Sequence, residues 1–111
     1  QDKKRKHAGG SLGHSTVYID SENMIPNHVE NNLGSCSIYF ENPEAYKGEG
    51  TLHVENNLGS MKIHVPSAWC AKVNVANNLG SLTIDEKNNE AGPVLYICGE
   101  NALGSVSVYY V

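Results

Sequence analysis

Histidines and glutamates recur at fixed distances from a repeated glycine, and they are the side chains of this chain best suited to bind a metal ion or to transfer protons. His28 and His53 lie six residues before such a glycine, and Glu30 and Glu55 lie four residues before it. In stacked strands the two histidines would lie about 5 Å apart, near enough to share a transition metal. A closed site needs more ligands, so we interpret both pairs as solvent-facing polar rows and predict no cofactor. A histidine metal site, and calcium binding or acid–base chemistry at the glutamates, are the alternatives.

Aromatic side chains recur at the fifth position after the same glycines. They are Tyr18, Tyr39, His64 and Tyr109. Serine and threonine occupy the two preceding alternate positions of most copies, which predicts a flat, hydroxyl-rich strand face edged by rings. Rings beside small hydroxyls suit the docking of a protein or a glycan, although tyrosine and threonine are also good strand formers. We predict that these four side chains form a binding face.

The glycines belong to a repeat that is written most fully as Asn-Asn-Leu-Gly-Ser. They are Gly13, Gly34, Gly59, Gly80 and Gly104, spaced by 21, 25, 21 and 24 residues. Residues after each glycine alternate between apolar and polar types, which is typical of a half-buried strand. A weaker strand precedes each motif. The pattern predicts an all-β fold, a short, single-stranded, right-handed parallel β-helix (solenoid) of about five coils over residues 9–111.

The repeated motif is expected to form the corner between the two strands of each coil. The corner residues are Asn31, Gly34, Asn56, Gly59, Asn77, Gly80, Asn101 and Gly104. Because the apolar alternation changes parity at the glycine, we expect an unusual φ there. The preceding leucines should stack under the corner. The first asparagine of each motif should face inward and form an amide ladder from coil to coil.

Length and charge exclude several classes of protein. The chain has 111 residues, about one domain, and no apolar run reaches the roughly 18 residues of a membrane span. Residues 1–8 are a basic segment, predicted to be a disordered tail or a juxtamembrane linker. The remainder has four lysines, no arginine and eleven acidic residues, a net charge of -7. Clustered basic residues are what phosphates select, so we exclude a nucleic-acid partner.

Three cysteines, an odd number without zinc-site spacing, favour free thiols in a reducing compartment. We find no Ser/His/Asp arrangement at meaningful spacing, and five coils offer little groove. We therefore expect a protein that is not an enzyme.

The Asn-Leu-Gly-Ser corners, with Met61–Pro66 leading into Trp69–Val75, resemble the C-terminal domain of LiaF-like (cell-wall-active antibiotic response) proteins. These belong to the toastrack group of adhesin-like β-solenoid domains. The resemblance covers roughly residues 9–111 and brings no catalytic motif. It implies a domain that follows membrane helices and that, in some members, modulates a cell-envelope stress two-component system. Contact with the membrane would then come only through a segment outside this chain.

We therefore expect a non-catalytic interaction or regulatory domain on the cytoplasmic face of a bacterial membrane, with a protein partner such as a sensor kinase. The alternative is an adhesin-like domain at the cell surface that binds envelope glycan. The chain ends in the strongly β-forming segment Val106–Val111. We expect this last coil to be an open end through which two copies associate, with Tyr110 central to the contact.

Overall fold

The computed structural model describes residues 14–85 and 91–111, and the backbone of residues 7–10. The described part is all-β, as predicted, apart from a 3-10 turn at Pro43–Ala45. Residues 1–6 of the predicted basic segment 1–8 lie outside the described residues, as does the first corner at 11–13, while His7 and Ala8 of that segment belong to the first strand. The strands are β1 (His7–Gly10), β2 (His14–Asp20), β3 (His28–Asn31), β4 (Gly34–Glu41), β5 (Gly50–Asn57), β6 (Gly59–Val65), β7 (Cys70–Asn78), β8 (Ser81–Ile84), β9 (Val94–Ala102) and β10 (Ser105–Tyr110).

The strands form two five-stranded sheets in which every pairing is parallel. The first sheet has the order β1-β3-β5-β9-β7, and the second has the order β2-β4-β6-β10-β8. Successive strands alternate between the sheets, so each sequence repeat supplies one strand to each. We number these strand pairs 1 to 5 along the chain. Equivalent repeat residues lie side by side, as shown by the pairing of Gly34 with Gly59.

Strand pairs 4 and 5 do not stack in chain order. Strand β10 pairs with β6 on one side and with β8 on the other, and β9 lies likewise between β5 and β7. The expectation that the last coil forms an open end is therefore wrong. On this side of the described structure the edge is β7 and β8. Side-chain burial agrees with this order, because Val106 and Val108 are buried whereas Ile84 of β8 is exposed.

The apolar alternation read from the sequence builds the core between the two sheets. Inward residues such as Ile38, Ile63 and Ile97 are fully buried. A second layer of aromatic packing covers one side of the core: the Trp69 ring lies 4.2 Å from Tyr46 and 5.1 Å from Phe40 between ring centroids. The Tyr46 hydroxyl donates to the Val94 carbonyl at 2.7 Å. In the described residues, no helix combines the length and the apolar character that a membrane crossing requires.

The predicted amide ladder runs through the corners in the order of the sheets. The Nδ2 of Asn31 donates to Oδ1 of Asn56 at 2.9 Å, Asn56 donates to Asn101 at 2.8 Å, and Asn101 donates to Asn77 at 2.8 Å. Each amide also donates to the carbonyl of the glycine three residues later, at 2.9 to 3.2 Å. The ladder therefore closes each corner and joins it to the next.

The corner glycines differ from the prediction in their backbone. Among the described corner glycines only Gly34 has a positive φ, 99°, whereas at the next corners it is Leu58, Leu79 and Leu103 that are left-handed, at 58° to 64°. Gly59 is required for another reason: a Cβ there would overlap the Gly34 carbonyl and lie 2.6 Å from Asn31 Nδ2. The corner leucines that the structure describes, Leu33, Leu58, Leu79 and Leu103, are exposed and do not stack under the corner, because the buried space there is filled by the asparagine ladder.

Candidate functional site

The four aromatic side chains predicted to form a binding face lie in one row across the second sheet. Tyr18 of β2 pairs in register with Tyr39 of β4, Tyr39 with His64 of β6, and His64 with Tyr109 of β10. Parallel in-register pairing places equivalent residues about 4.8 Å apart on the same face. We call this set the aromatic row.

The rings of the aromatic row stack on one another. The centroid distances are 5.6 Å for Tyr18–Tyr39, 4.4 Å for Tyr39–His64 and 5.7 Å for His64–Tyr109, with interplanar angles of 23°, 4° and 24°. Tyr18 is 57% exposed, and Tyr39 and Tyr109 are each 38% exposed. The faces of the two inner rings, Tyr39 and His64, pack against the neighbouring rings. These two side chains therefore offer ring edges and polar groups to a partner.

Burial and charge alter the protonation of the one histidine in this row. Burial lowers the pKa of His64, and the nearby Lys62 ammonium lowers it further. The imidazole is therefore held neutral to lower pH than an exposed histidine. A neutral imidazole can pack between two tyrosine rings without the unfavourable free energy of removing a charge from water.

Small hydroxyl side chains lie beside the aromatic row, as the sequence predicts. The adjacent row runs Thr16, Ser37, Lys62, Ser107 and Thr83, and the next runs His14, Ser35, Ser60, Ser105 and Ser81. His14 Nδ1 and Ser35 Oγ lie 2.9 Å apart and are hydrogen-bonded. On the other side of the aromatic row, Asp20 and Glu41 pair in register and bring carboxylates beside Tyr18 and Tyr39.

A second cluster lies on the outer face of the first sheet. His28 of β3 pairs with His53 of β5, and Glu30 pairs with Glu55. The imidazole centroids are 4.7 Å apart. Oε2 of Glu55 lies 3.7 Å from His28 Nε2 and 4.0 Å from His53 Nδ1, and Oε2 of Glu30 lies 3.8 Å from His28 Nε2. These four side chains are partly buried, with 34 to 40% of each exposed.

The repeat alone predicts two separate rows, one of histidines and one of glutamates. Residues two apart on a strand share a face, so His53 and Glu55 must lie together once the strand is identified. That spacing was the signal available for the combined cluster. The same register places Cys98 of β9 next to His53, and Asn74 of β7 next to Cys98.

All three cysteines are free thiols in the structure. Cys36 and Cys70 are buried and Cys98 is partly exposed. Burial raises the pKa of the Cys36 thiol, and the neighbouring Ser15 hydroxyl partly opposes this effect. Cys36 is therefore an unreactive core residue, and Cys98 is the thiol most open to a reagent.

The described residues thus offer two arrangements able to act on another molecule, the aromatic row on the second sheet and the histidine–glutamate cluster on the first. Both lie on open sheet faces. Comparison of the chain with protein-family models, with curated proteins and with solved structures finds no match.

Proposed function

We propose that this chain is a non-catalytic binding module, built as a short right-handed parallel β-solenoid, that docks a protein partner on the aromatic row. The observation that carries the proposal is the continuous stack of Tyr18, Tyr39, His64 and Tyr109 on one sheet face. Ring stacking holds these side chains in one conformation, so little side-chain entropy is lost on binding. Tyrosine is among the residues that contribute most to protein interfaces.

The charge of the chain favours a basic partner surface. Residues 9–111 carry a net charge of -7, and Asp20 and Glu41 lie next to the aromatic row. Complementary charge steers the approach of a partner and sets its orientation. In keeping with the family resemblance, the partner proposed is a regulatory protein such as a sensor kinase at the cytoplasmic face of a bacterial membrane.

Photo-crosslinking in cells of the source organism tests the docking surface. A photoreactive phenylalanine derivative replaces Ser37, beside the aromatic row, or Tyr96, which is 45% exposed on the first sheet. We expect a discrete protein adduct from position 37 that disappears when Tyr39→Ala and Tyr109→Ala are added. Position 96 is the matched control. Absence of an adduct at position 37, or the same adduct from both positions, would contradict the proposal.

Glycan binding at a cell surface is the second candidate, and the exposure of Tyr18 favours it. Tyr18 is the outermost ring of the aromatic row and its most exposed member, so a sugar ring can stack there. Sedimentation of the purified chain with insoluble cell-wall material distinguishes the two functions. Co-sedimentation that is lost in Tyr18→Ala and kept in Tyr96→Ala would favour the glycan. The protein-docking proposal expects no co-sedimentation.

The proposed cytoplasmic location rests on the free thiols and is tested through Cys98. A membrane-impermeant maleimide should label the protein only after cells are permeabilised, and Cys98→Ser should remove most of the label because the other two thiols are buried. Labelling of intact cells would place the domain outside and favour the glycan-binding alternative.

A further inference from the structure

The outer face of the first sheet brings together three side chains of the types that bind transition metals. His28 and His53 come from adjacent strands, and Glu55 follows His53 by two residues on the same face. One ligand atom from each lies within 4.8 Å of the other two. This cluster is on the sheet opposite to the aromatic row, so it is independent of the proposed docking function.

We propose that His28, His53 and Glu55 bind one divalent transition-metal ion, with Zn²⁺ as its representative. In a tetrahedral zinc site, with bonds of about 2.0–2.1 Å, neighbouring ligand atoms lie about 3.3 Å apart. The Glu55 oxygen is 3.7 Å from His28 Nε2 and 4.0 Å from His53 Nδ1. The three ligand atoms lie within 4.8 Å of one another, so side-chain adjustments that shorten each separation by up to about 1.5 Å bring them to that spacing.

The Glu55 carboxylate oxygen makes no direct hydrogen bond to His28 Nε2 or to His53 Nδ1. Separations of 3.7 and 4.0 Å between the Glu55 oxygen and the imidazole nitrogens are too long for one. His53 Nδ1 is shielded from solvent and has no hydrogen-bond partner among the described residues. An unpaired buried nitrogen is unfavourable, and an ion placed between the three atoms would satisfy its lone pair.

The ligand set selects the class of metal. Two imidazole nitrogens and one carboxylate oxygen suit Zn²⁺, Co²⁺ and Ni²⁺, whereas Ca²⁺ and Mg²⁺ prefer oxygen ligands alone. Glu30 lies 3.8 Å from His28 Nε2, and Glu100 pairs in register with Glu55. These carboxylates add negative charge that attracts a cation. Because the ligands are partly exposed, the ion would keep a coordination position for water or for a group of another molecule.

The test is calorimetric titration of the full chain with Zn²⁺ alone. We expect one ion per chain, and at least about a tenfold weaker affinity in both His53→Gln and Glu55→Gln, because the loss of a residue that only orients a metal ligand already weakens binding by about 10–100-fold. His14→Gln is the matched control, since His14 is an exposed histidine of the second sheet hydrogen-bonded to Ser35. Its affinity should equal that of the wild type.

Thermal unfolding separates loss of the site from loss of the fold. Without metal, both glutamine variants should melt within a few degrees of the wild type, because the changed side chains are partly exposed. Zn²⁺ should raise the melting temperature of the wild type and of His14→Gln, but not of the two variants. One ion shared by two chains, an equal loss of affinity in His14→Gln, or full affinity in His53→Gln would overturn the proposal.

Discussion

Leu58 has a left-handed backbone, with φ at 64°, and its side chain is 53% exposed. For a residue with a Cβ this conformation is unfavourable by about 1–2 kcal/mol. Because the leucine side chain is half exposed, its burial offsets little of this unfavourable free energy. Backbone strain at this corner therefore lies at the leucine, while the adjacent Gly59 is required for the close approach of the neighbouring corner.

Replacing Leu58 with asparagine should stabilise the protein. Asparagine tolerates the left-handed region better than leucine does, so Leu58→Asn should raise the free energy of unfolding by about 0.5–1 kcal/mol. Urea denaturation measures the change. Leu33→Asn is the control, because at that corner Gly34 carries the positive φ. Equal gains in both variants would show that backbone strain at Leu58 is not the cause.

Protonation of His64 should destabilise the fold. Burial and Lys62 lower the pKa of His64 in the folded state, so the unfolded chain binds this proton more readily. The His64 contribution is fully favourable above its unfolded pKa of about 6.5 and is lost as pH falls through the lower folded pKa. Stability should therefore fall less steeply from about pH 7 to pH 5.5 in His64→Gln than in the wild type. Melting curves at several pH values test this, and parallel profiles would contradict it.

The amide ladder is the element that couples the corners. Asn31, Asn56 and Asn101 are buried, whereas Asn77 at the β7 edge is exposed. An inner member such as Asn56 donates to Asn101 and accepts from Asn31. Removing it takes the donor away from the buried Oδ1 of Asn101 and from the Gly59 carbonyl, which is more unfavourable than the loss of one exposed hydrogen bond.

Position in the ladder should therefore determine the effect of removing an amide. We expect Asn56→Ala to lower the free energy of unfolding by at least about 2 kcal/mol and Asn77→Ala by about 1 kcal/mol or less. Chemical denaturation of the two variants gives the comparison. Similar losses at both positions would mean that the ladder stabilises each corner separately.

The strands and the ladder could be predicted from sequence because their causes are local. Period-two alternation places Ile38 and Ile63 inside, and the recurrence of asparagine at one position indicates a stacked amide. The backbone of Leu58 could not be predicted, since its left-handed conformation is imposed by neighbouring corners. The joint cluster of His28, His53 and Glu55 was predictable in principle from their spacing and strand register.

At the scale of the whole molecule, the stacking order of the strand pairs is the feature that cannot be predicted from the repeat. Equivalent motifs fit beside one another in several orders, because each corner presents the same asparagine and glycine. The differences that distinguish pairs 4 and 5 are small: β8 has four residues and half-exposed apolar side chains, whereas β10 has six residues and buried valines. The shorter, less apolar pair lies at the edge, where less surface is buried.

Two lysine substitutions should distinguish the interior pair from the edge pair. Val108 is 1% exposed in β10 and Ile84 is 42% exposed in β8. Val108→Lys should unfold the protein or lower its stability by more than about 3 kcal/mol, because it buries an unpaired charge. Ile84→Lys should leave stability within about 1 kcal/mol.

The Ile84→Lys variant also locates any self-association of the chain. Strands β7 and β8 expose unpaired backbone groups on their outer side in the described structure, so we expect wild-type chains to associate there at high concentration. Sedimentation velocity should show this association weakened in Ile84→Lys. Monomeric wild type at all concentrations, or undiminished association in Ile84→Lys, would contradict an edge contact.

The order of the strand pairs also has a consequence for the growing polypeptide. A ribosome delivers β7 and β8 before β9 and β10, yet among the described strands β7 pairs only with β9 and β8 only with β10. During synthesis the fourth pair emerges beside the vacant edge of β5 and β6, whose glycine–asparagine corner matches its own. The fourth pair must then either remain undocked, or bind that edge and be displaced from it when β9 and β10 are synthesised. The pair translated later thus takes the place between two earlier pairs, and vectorial growth cannot complete this fold one layer at a time.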